Sequence, residues 1–246
     1  MTPSGVSRSP EILTLSARLL LERSRAFFLS GRNGPCAAQG ACYNEGECDF
    51  WEGEAITTVY FVRHAQSDAS VQDPFLRPLT EQGLRDRRLV TELLGSREVT
   101  ALFSSPYKRA VDTLADFAEK RGLPVQTVED FREHETISDS YPDENYFPFI
   151  QKYWDDPAYK VPGDESLEEL QQRNIRALET VLEAYPGKTV AIATHGMALS
   201  AVLNFYDAAY GYEDFLSMVK IKPWVVKLTF QGKQFLGWEP VCLNRP

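Results

Sequence analysis

From Ile56 onward, short apolar, β-branched runs alternate with longer amphipathic ones. "ITTVYFV" (56–62), "TALFS" (100–104), "PVQTVED" (124–130) and "TVAIAT" (189–194) are bounded by polar and turn residues, which predicts strands. Between them, "TEQGLRDRRLVTELLGS" (80–96), "YKRAVDTLADFAEKRG" (107–122) and "ESLEELQQRNIRALETVLEAY" (165–185) repeat their apolar residues with helical spacing. The helix ends agree with this. Ser105-Pro106 offers an N-cap and a proline at N1, Gly122 a stop just past a C-terminus, and Ser166 with Glu169 a capping box. "WVVKLTF-QGKQ-FLGWEPV" at the end reads as a hairpin. Strand–helix alternation requires crossover connections. The predicted fold class is therefore α/β: three layers, α/β/α, around a mainly parallel sheet, with antiparallel structure added at the edge by the hairpin.

Residues 1–55 show no such pattern. "LTLSARLLLERSRAFFLS" holds enough apolar residues for one helix, but Arg18 and Glu22 interrupt it, so it lacks the apolar centre of a signal peptide. The Gly-rich stretch after it has neither a two-residue nor a 3.6-residue period. The expectation is an N-terminal extension over 1–55, poorly ordered or the product of a misplaced translation start, and a domain over 56–246. Cys36, Cys42 and Cys48 are evenly spaced but match no zinc pattern, and Cys242 stands alone. Reduced thiols in a cytoplasmic protein are expected.

Hydrophobic content of 43% and charged content of 25% are ordinary for a globular chain. A net charge of −9 argues against nucleic acid or an anionic membrane as partner. No apolar run approaches the ~20 residues needed to span a bilayer. An acidic body can still hold a local cationic pocket, and the strand ends supply one. After the first strand come Arg63 and His64; after the second, "SSPYKRA" with Arg109; after the third, "FREHE" with Glu133; after the fourth, "THG" with His195. In an open parallel sheet the carboxyl ends of the strands share one edge, where ligands bind.

Two arginines, two histidines and a glutamate at one edge suit phosphoryl transfer, in which catalysis is mostly positioning and charge stabilisation. Arg63 and Arg109 can give forked hydrogen bonds to phosphate oxygens. A neutral His64 with Nδ1 donating to a carbonyl can attack through Nε2. His195, if protonated, adds a third positive group. Glu133 can serve as acid and then base, which requires partial burial or a nearby carboxylate such as Asp112 or Glu135. His134 is expected to be structural or exposed. No paired histidines at metal-ligand spacing occur, so no metal or cofactor is expected.

These blocks resemble the histidine phosphatase superfamily, in its phosphoglycerate mutase-like branch. "VRHAQSD" is similar to that family's RHG signature with Ala65 in the glycine place, "SSPYKRAVDT" to its S-P-x-x-R-A-x-x-T block, "FREH" to the proton-donor segment, "ATHGMAL" to the second histidine block, and "PGDESLEELQQR" to its G-E-S segment. The resemblance implies a phosphoglycerate mutase-like fold and a metal-independent phosphomonoester hydrolase acting through phosphohistidine on His64. Arg63, Arg109, Ser70 and Gly196 would bind phosphate, with Ser70 in the place of a family asparagine. The substrate would be a phosphorylated small molecule or phosphoprotein. A phosphoglycerate mutase and an inactive phosphate-binding module are the alternatives. Met197 in place of asparagine, and an aromatic insertion at about 136–164, weaken the mutase reading. That insertion is expected either to cap the crevice or to be packed core, and its acidic residues to disfavour highly anionic substrates.

Overall fold

The chain divides into two units, Met1–Glu54 and Ala55–Pro246. The computed structural model describes residues 55–134 and 143–244. Apart from Ala55, the expected N-terminal extension lies outside the described residues, as do Cys36, Cys42, Cys48, Glu135 and Tyr141. Cys242 is a free, exposed thiol.

One sheet of six strands runs through the second unit, in the order β3-β2-β4-β1-β5-β6. β1 (Ile56–Arg63), β2 (Val99–Ser104), β3 (Val125–Thr127) and β4 (Thr189–Thr194) are mutually parallel where they pair. β5 (Trp224–Gln231) runs antiparallel to β1 and pairs with β6 (Gln234–Val241) as the terminal hairpin. Side chains alternate across each strand, so the two faces bury different sets. On one face Val59, Phe61, Ile192 and Val226 pack with Leu170, Leu178, Leu199 and Phe215; on the other Tyr60, Val62, Ala191 and Val225 pack with Val90, Leu94, Leu114 and Phe117.

The second face is covered by α1 (Glu81–Gly95) and α2 (Lys108–Arg121), the first by α4 (Leu167–Ala184), α5 (Gly196–Tyr206) and α6 (Tyr212–Met218). The caps reflect local chemistry. Thr80 accepts the Gly83 amide at the start of α1, Ser166 and Glu169 form a full capping box on α4, and Gly122 ends α2 at φ 65°. A Cβ on Gly83 would collide with the Gln66 carbonyl, so this glycine lets α1 close onto the chain just after His64.

Two expectations are revised, and the alternatives left open for the insertion both find residues. Ser105 is not the N-cap of α2: Tyr107 holds that position, and the Ser105 hydroxyl accepts the Tyr107 amide instead. The third strand ends at Thr127 rather than 130, because a 3₁₀ turn at Glu129–Phe131 drives Phe131 into the core against Phe61. The insertion contains α3 (Asp143–Asp155), whose aromatics divide between two environments. Phe149 and Tyr153 are buried core, whereas Phe147 is exposed and tied to α6 by the Tyr212 hydroxyl donating to its carbonyl at 2.8 Å.

Candidate active site

Strand register builds the site. Arg63 pairs with Thr194, and Ser104 with Ala193, so His64, His195 and Ser105 leave the sheet side by side. The His64 amide donates to the Thr194 carbonyl at 3.0 Å, and the Ser105 amide to the Ala193 carbonyl at 2.9 Å. The two imidazole centroids stand 5.3 Å apart. The Thr194 hydroxyl donates to the Phe131 carbonyl at 3.0 Å, which anchors the segment carrying Glu133 to the same edge.

His64 is held in one tautomer. Its Nδ1 lies 2.7 Å from the Ala65 carbonyl, which can only accept, so Nδ1 carries the proton. Nε2 keeps its lone pair and accepts from Arg109 Nε at 3.2 Å. Ala65 is itself fixed: its amide donates to Thr113 Oγ1 at 3.0 Å, and that hydroxyl donates to the Arg109 carbonyl at 2.7 Å. The turn of α2 that presents Arg109 therefore also orients the imidazole. Burial, then Arg109 and Arg63, hold the His64 pKa well below the ordinary histidine value, so the ring is neutral.

Arg63 is clamped at the far side. Its Nη1 donates to the carbonyls of Met218, Val219 and Ile221 at 3.1, 2.7 and 3.0 Å. Its Nε is buried with no hydrogen-bond partner among the described residues. Burial lowers the Arg63 pKa to about 10, against the opposing pull of Glu133. Arg109 Nη1 donates to the Pro74 carbonyl at 2.6 Å, and its guanidinium lies over the Tyr107 ring, 4.8 Å from the centroid.

His195 is fully buried beneath this layer, its Nε2 2.7 Å from the Ser105 hydroxyl. Burial, then Arg109 and His64, hold its pKa well below the ordinary histidine value. The Glu133 carboxylate sits on the N-terminus of α5. Oε2 accepts from the Gly196 and Met197 amides at 2.9 and 3.3 Å, and Oε1 from the Ala198 and His134 amides, both at 3.0 Å. The Gly196 amide, expected to donate to phosphate, is thus engaged by Glu133. Asp112 pairs with Lys108 and does not line the cavity.

A cavity of about 860 Å³ opens above these groups, lined by Arg63, His64, Arg109 and Glu133 among others. Ser70 is not brought to it: this exposed residue points its hydroxyl and amide at Asp68 Oδ1, at 2.7 and 3.0 Å. Tyr146, Phe147 and Ile150 of α3 line the cavity, and so does His134, whose Nε2 donates to the Glu165 carbonyl at 2.6 Å.

Sequence reasoning missed three lining cations, Arg77, Lys220 and Lys222, and one residue behind the wall, Arg173. Arg173 holds the Glu133 segment by donating to the carbonyls of Asp130, Arg132 and Glu133 at 2.6, 2.9 and 2.9 Å while its Nε and Nη2 meet the Glu165 carboxylate at 2.5 and 2.8 Å. Among the described residues, no group of three or more His, Cys, Asp or Glu side chains gathers in a way that could hold a metal ion. No helix among them is long and apolar enough to cross a membrane.

Fold and site together define an α/β protein with a neutral histidine set between guanidiniums at the carboxyl edge of a parallel sheet. The sequence model described as Histidine phosphatase superfamily (branch 1) matches residues 59–234, and the chain belongs to that family. It is 32% identical over 153 residues to the Uncharacterized phosphatase PhoE of Bacillus subtilis (strain 168), covering 61% of this chain and 77% of that one. It is 28% identical over 156 residues to the Probable phosphoglycerate mutase GpmB of Yersinia pestis (strain Pestoides F), covering 59% and 73%. The fold matches the crystal structure of phosphoglycerate mutase from Bacillus anthracis str. Sterne with a TM-score of 0.61 at 17% identity, over 77% of this chain and 94% of that one.

Proposed function

We propose that this protein is a metal-independent phosphomonoester hydrolase that works through a phosphohistidine on His64. The observation that carries the reading is the single tautomer of His64, whose Nε2 lone pair faces a guanidinium donor in a lined cavity. Arg63 and Arg109 receive the phosphate oxygens. His64 Nε2 attacks phosphorus as the bond to the leaving oxygen breaks, and Glu133 gives that oxygen a proton. Water then attacks phosphorus as the P–N bond breaks, Glu133 takes the water's proton, and phosphate and neutral His64 are released. Four backbone amides donate to the Glu133 carboxyl oxygens and fix their position. A bound phosphate dianion favours a proton on His195.

Hydrolysis of 4-nitrophenyl phosphate in EDTA tests this. Rapid acid-free quenching is expected to trap a base-stable, acid-labile phosphoryl group on the peptide containing His64, and His64→Ala is expected to abolish turnover. Wild-type-like activity in that variant would refute the assignment. The likeness to GpmB keeps an isomerase as the second reading. Conversion of 3-phosphoglycerate to its 2-isomer, without phosphate release, would favour it.

A further inference from the structure

His195 has a buried Nδ1 with no hydrogen-bond partner among the described residues. Its other ring nitrogen, Nε2, lies 2.7 Å from the Ser105 hydroxyl. Which of the two nitrogens carries the proton decides what the ring can do. An N–H at Nδ1 donates to a phosphoryl oxygen, whereas a lone pair there repels one. The bond that one ring nitrogen makes sets the state of the other.

Ser105 reaches this ring through strand register. Ser104 ends β2 and pairs with Ala193, and Thr194 ends β4, so Ser105 and His195 are the first residues past neighbouring parallel strands. β4 lies between β2 and β1, which places Ser105 on one side of His195 and His64 on the other. The Tyr107 and His64 rings pack edge-on, 5.0 and 5.3 Å between centroids, and confine the imidazole. Pro106 has no N–H, so Ser105 Oγ accepts the next amide, that of Tyr107, at 3.2 Å. One Oγ lone pair is then used. Ser105 is 0% exposed, so its hydroxyl proton needs an acceptor inside the protein. His195 Nε2 is the acceptor within reach among the described residues. A proton on Nε2 would take the second Oγ lone pair instead and leave the hydroxyl proton buried without a partner. The arrangement that satisfies both groups has Oγ–H donating to Nε2 and the ring proton on Nδ1. If a bound dianion adds a second proton to the ring, it arrives at Nε2 and Nδ1 keeps its own.

We propose that Ser105 is a positioning residue: its hydroxyl donates to His195 Nε2 and so keeps a proton on Nδ1, as a fixed donor to the phosphoryl group that His64 receives. This rests on the hydrolase reading above. Nitrogen-15 NMR of the imidazoles reads the tautomer without any turnover. The chain has three histidines, and spectra of His64→Ala and His134→Gln assign the third by subtraction. Wild-type His195 is expected as the Nδ1–H tautomer. Ser105→Ala is expected to give Nε2–H or a mixture, and Ser105→Thr, which keeps the hydroxyl, to retain Nδ1–H. With 4-nitrophenyl phosphate, Ser105→Ala is expected to lower kcat/KM about 10–100-fold, the effect of removing the group that orients a metal-ligating histidine. In a His195→Asn background the same change is expected to cost less than about twofold, because residues that act through one another are not additive.

A role confined to holding the Tyr107 amide would leave the tautomer unchanged in Ser105→Ala and lower activity by the same factor in both backgrounds. That result overturns the proposal. So does an Nε2–H tautomer at His195 in the wild type, which is read without a variant. If Ser105→Ala fails to fold, Ser105→Cys, whose thiol is a weaker donor, carries the comparison and is expected to give a mixture. Nδ1–H in the wild type, lost in the variant, in a protein that releases no phosphate would retain the hold of Ser105 on the ring and remove the hydrolase.

Discussion

Replacing Arg173 with methionine tests how the acid–base segment is held. Arg173 and Glu165 are 4% and 12% exposed at the side chain and joined through two contacts, at 2.5 and 2.8 Å. Removing the cation leaves a carboxylate in the interior and three backbone carbonyls without their guanidinium donor. Breaking a buried pair in this way costs about 3–5 kcal/mol. In a domain of this size that corresponds to a fall in melting temperature of about 6–20 °C. Glu165→Gln should cost less, because the amide oxygen still accepts and Arg173 keeps its carbonyls. Arg173→Lys should fall between them, since an ammonium cannot fork across partners on several sides. Catalysis gives the discriminating readout. Glu133 depends on Arg173 for the placement of its own backbone, so kcat per folded molecule should fall on the order of 10²-fold, the effect of an ångström-scale misplacement. KM should change less. Urea denaturation and 4-nitrophenyl phosphate kinetics at a temperature where all variants are folded measure both. A stability loss below about 1 kcal/mol, outside the range for a broken buried pair, or full kcat in a destabilised variant, would refute the reasoning.

Arg109→Ala should lower kcat/KM on the order of 10²–10³-fold, as for loss of one preorganised donor, and a loss below tenfold would remove Arg109 from contact with the reacting phosphate. Stability should fall on the acid side of neutrality. His64 and His195 have folded pKa values well below the unfolded value of 6.5, so as pH drops below 6.5 the unfolded chain takes up protons first. Their contribution is fully present above that pH and declines by about 1.4 kcal/mol per unit for each ring as pH falls towards the folded values. Urea midpoints at pH 7.5, 6.5 and 5.5 should show the decline, and His195→Asn should flatten it; an unchanged midpoint across that range would contradict the burial argument.

The alternation of apolar runs is enough to specify the parallel sheet, because each strand buried on both faces reads as a short continuous run and each covering helix keeps its period. Helix ends are legible where a side chain closes its own cap, as at Ser166 and Gly122. Ser105 misleads, because its hydroxyl bonds both the Tyr107 amide and a histidine 90 positions away in the chain. Helices α3, α5 and α6 are not anticipated by the pattern. α5 is buried along most of its length, with Met197, Leu199, Ala201 and Leu203 all in the core, so it shows little polar–apolar contrast to read.

The candidate site divides the same way, for a reason in the topology. Arg63 at the end of its parallel strand, and His64, Arg109, Glu133 and His195 past the ends of theirs, meet because those strands point their carboxyl ends at the site. An antiparallel strand at the same edge inverts the rule: the residues just before it face the cavity. Applied to β5, that inversion points to Lys220 and Lys222, and the terminal hairpin is recognisable as antiparallel from its sequence. Arg173 obeys neither rule. It lies within α4, two turns past the capping box, and reaches the Glu133 segment only because α4 packs across the 3₁₀ turn at Glu129–Phe131. A charged residue in the buried stripe of an amphipathic helix is the available signal. Such a residue needs fixed partners to be tolerated there, and here those partners are the carbonyls that position the proposed acid.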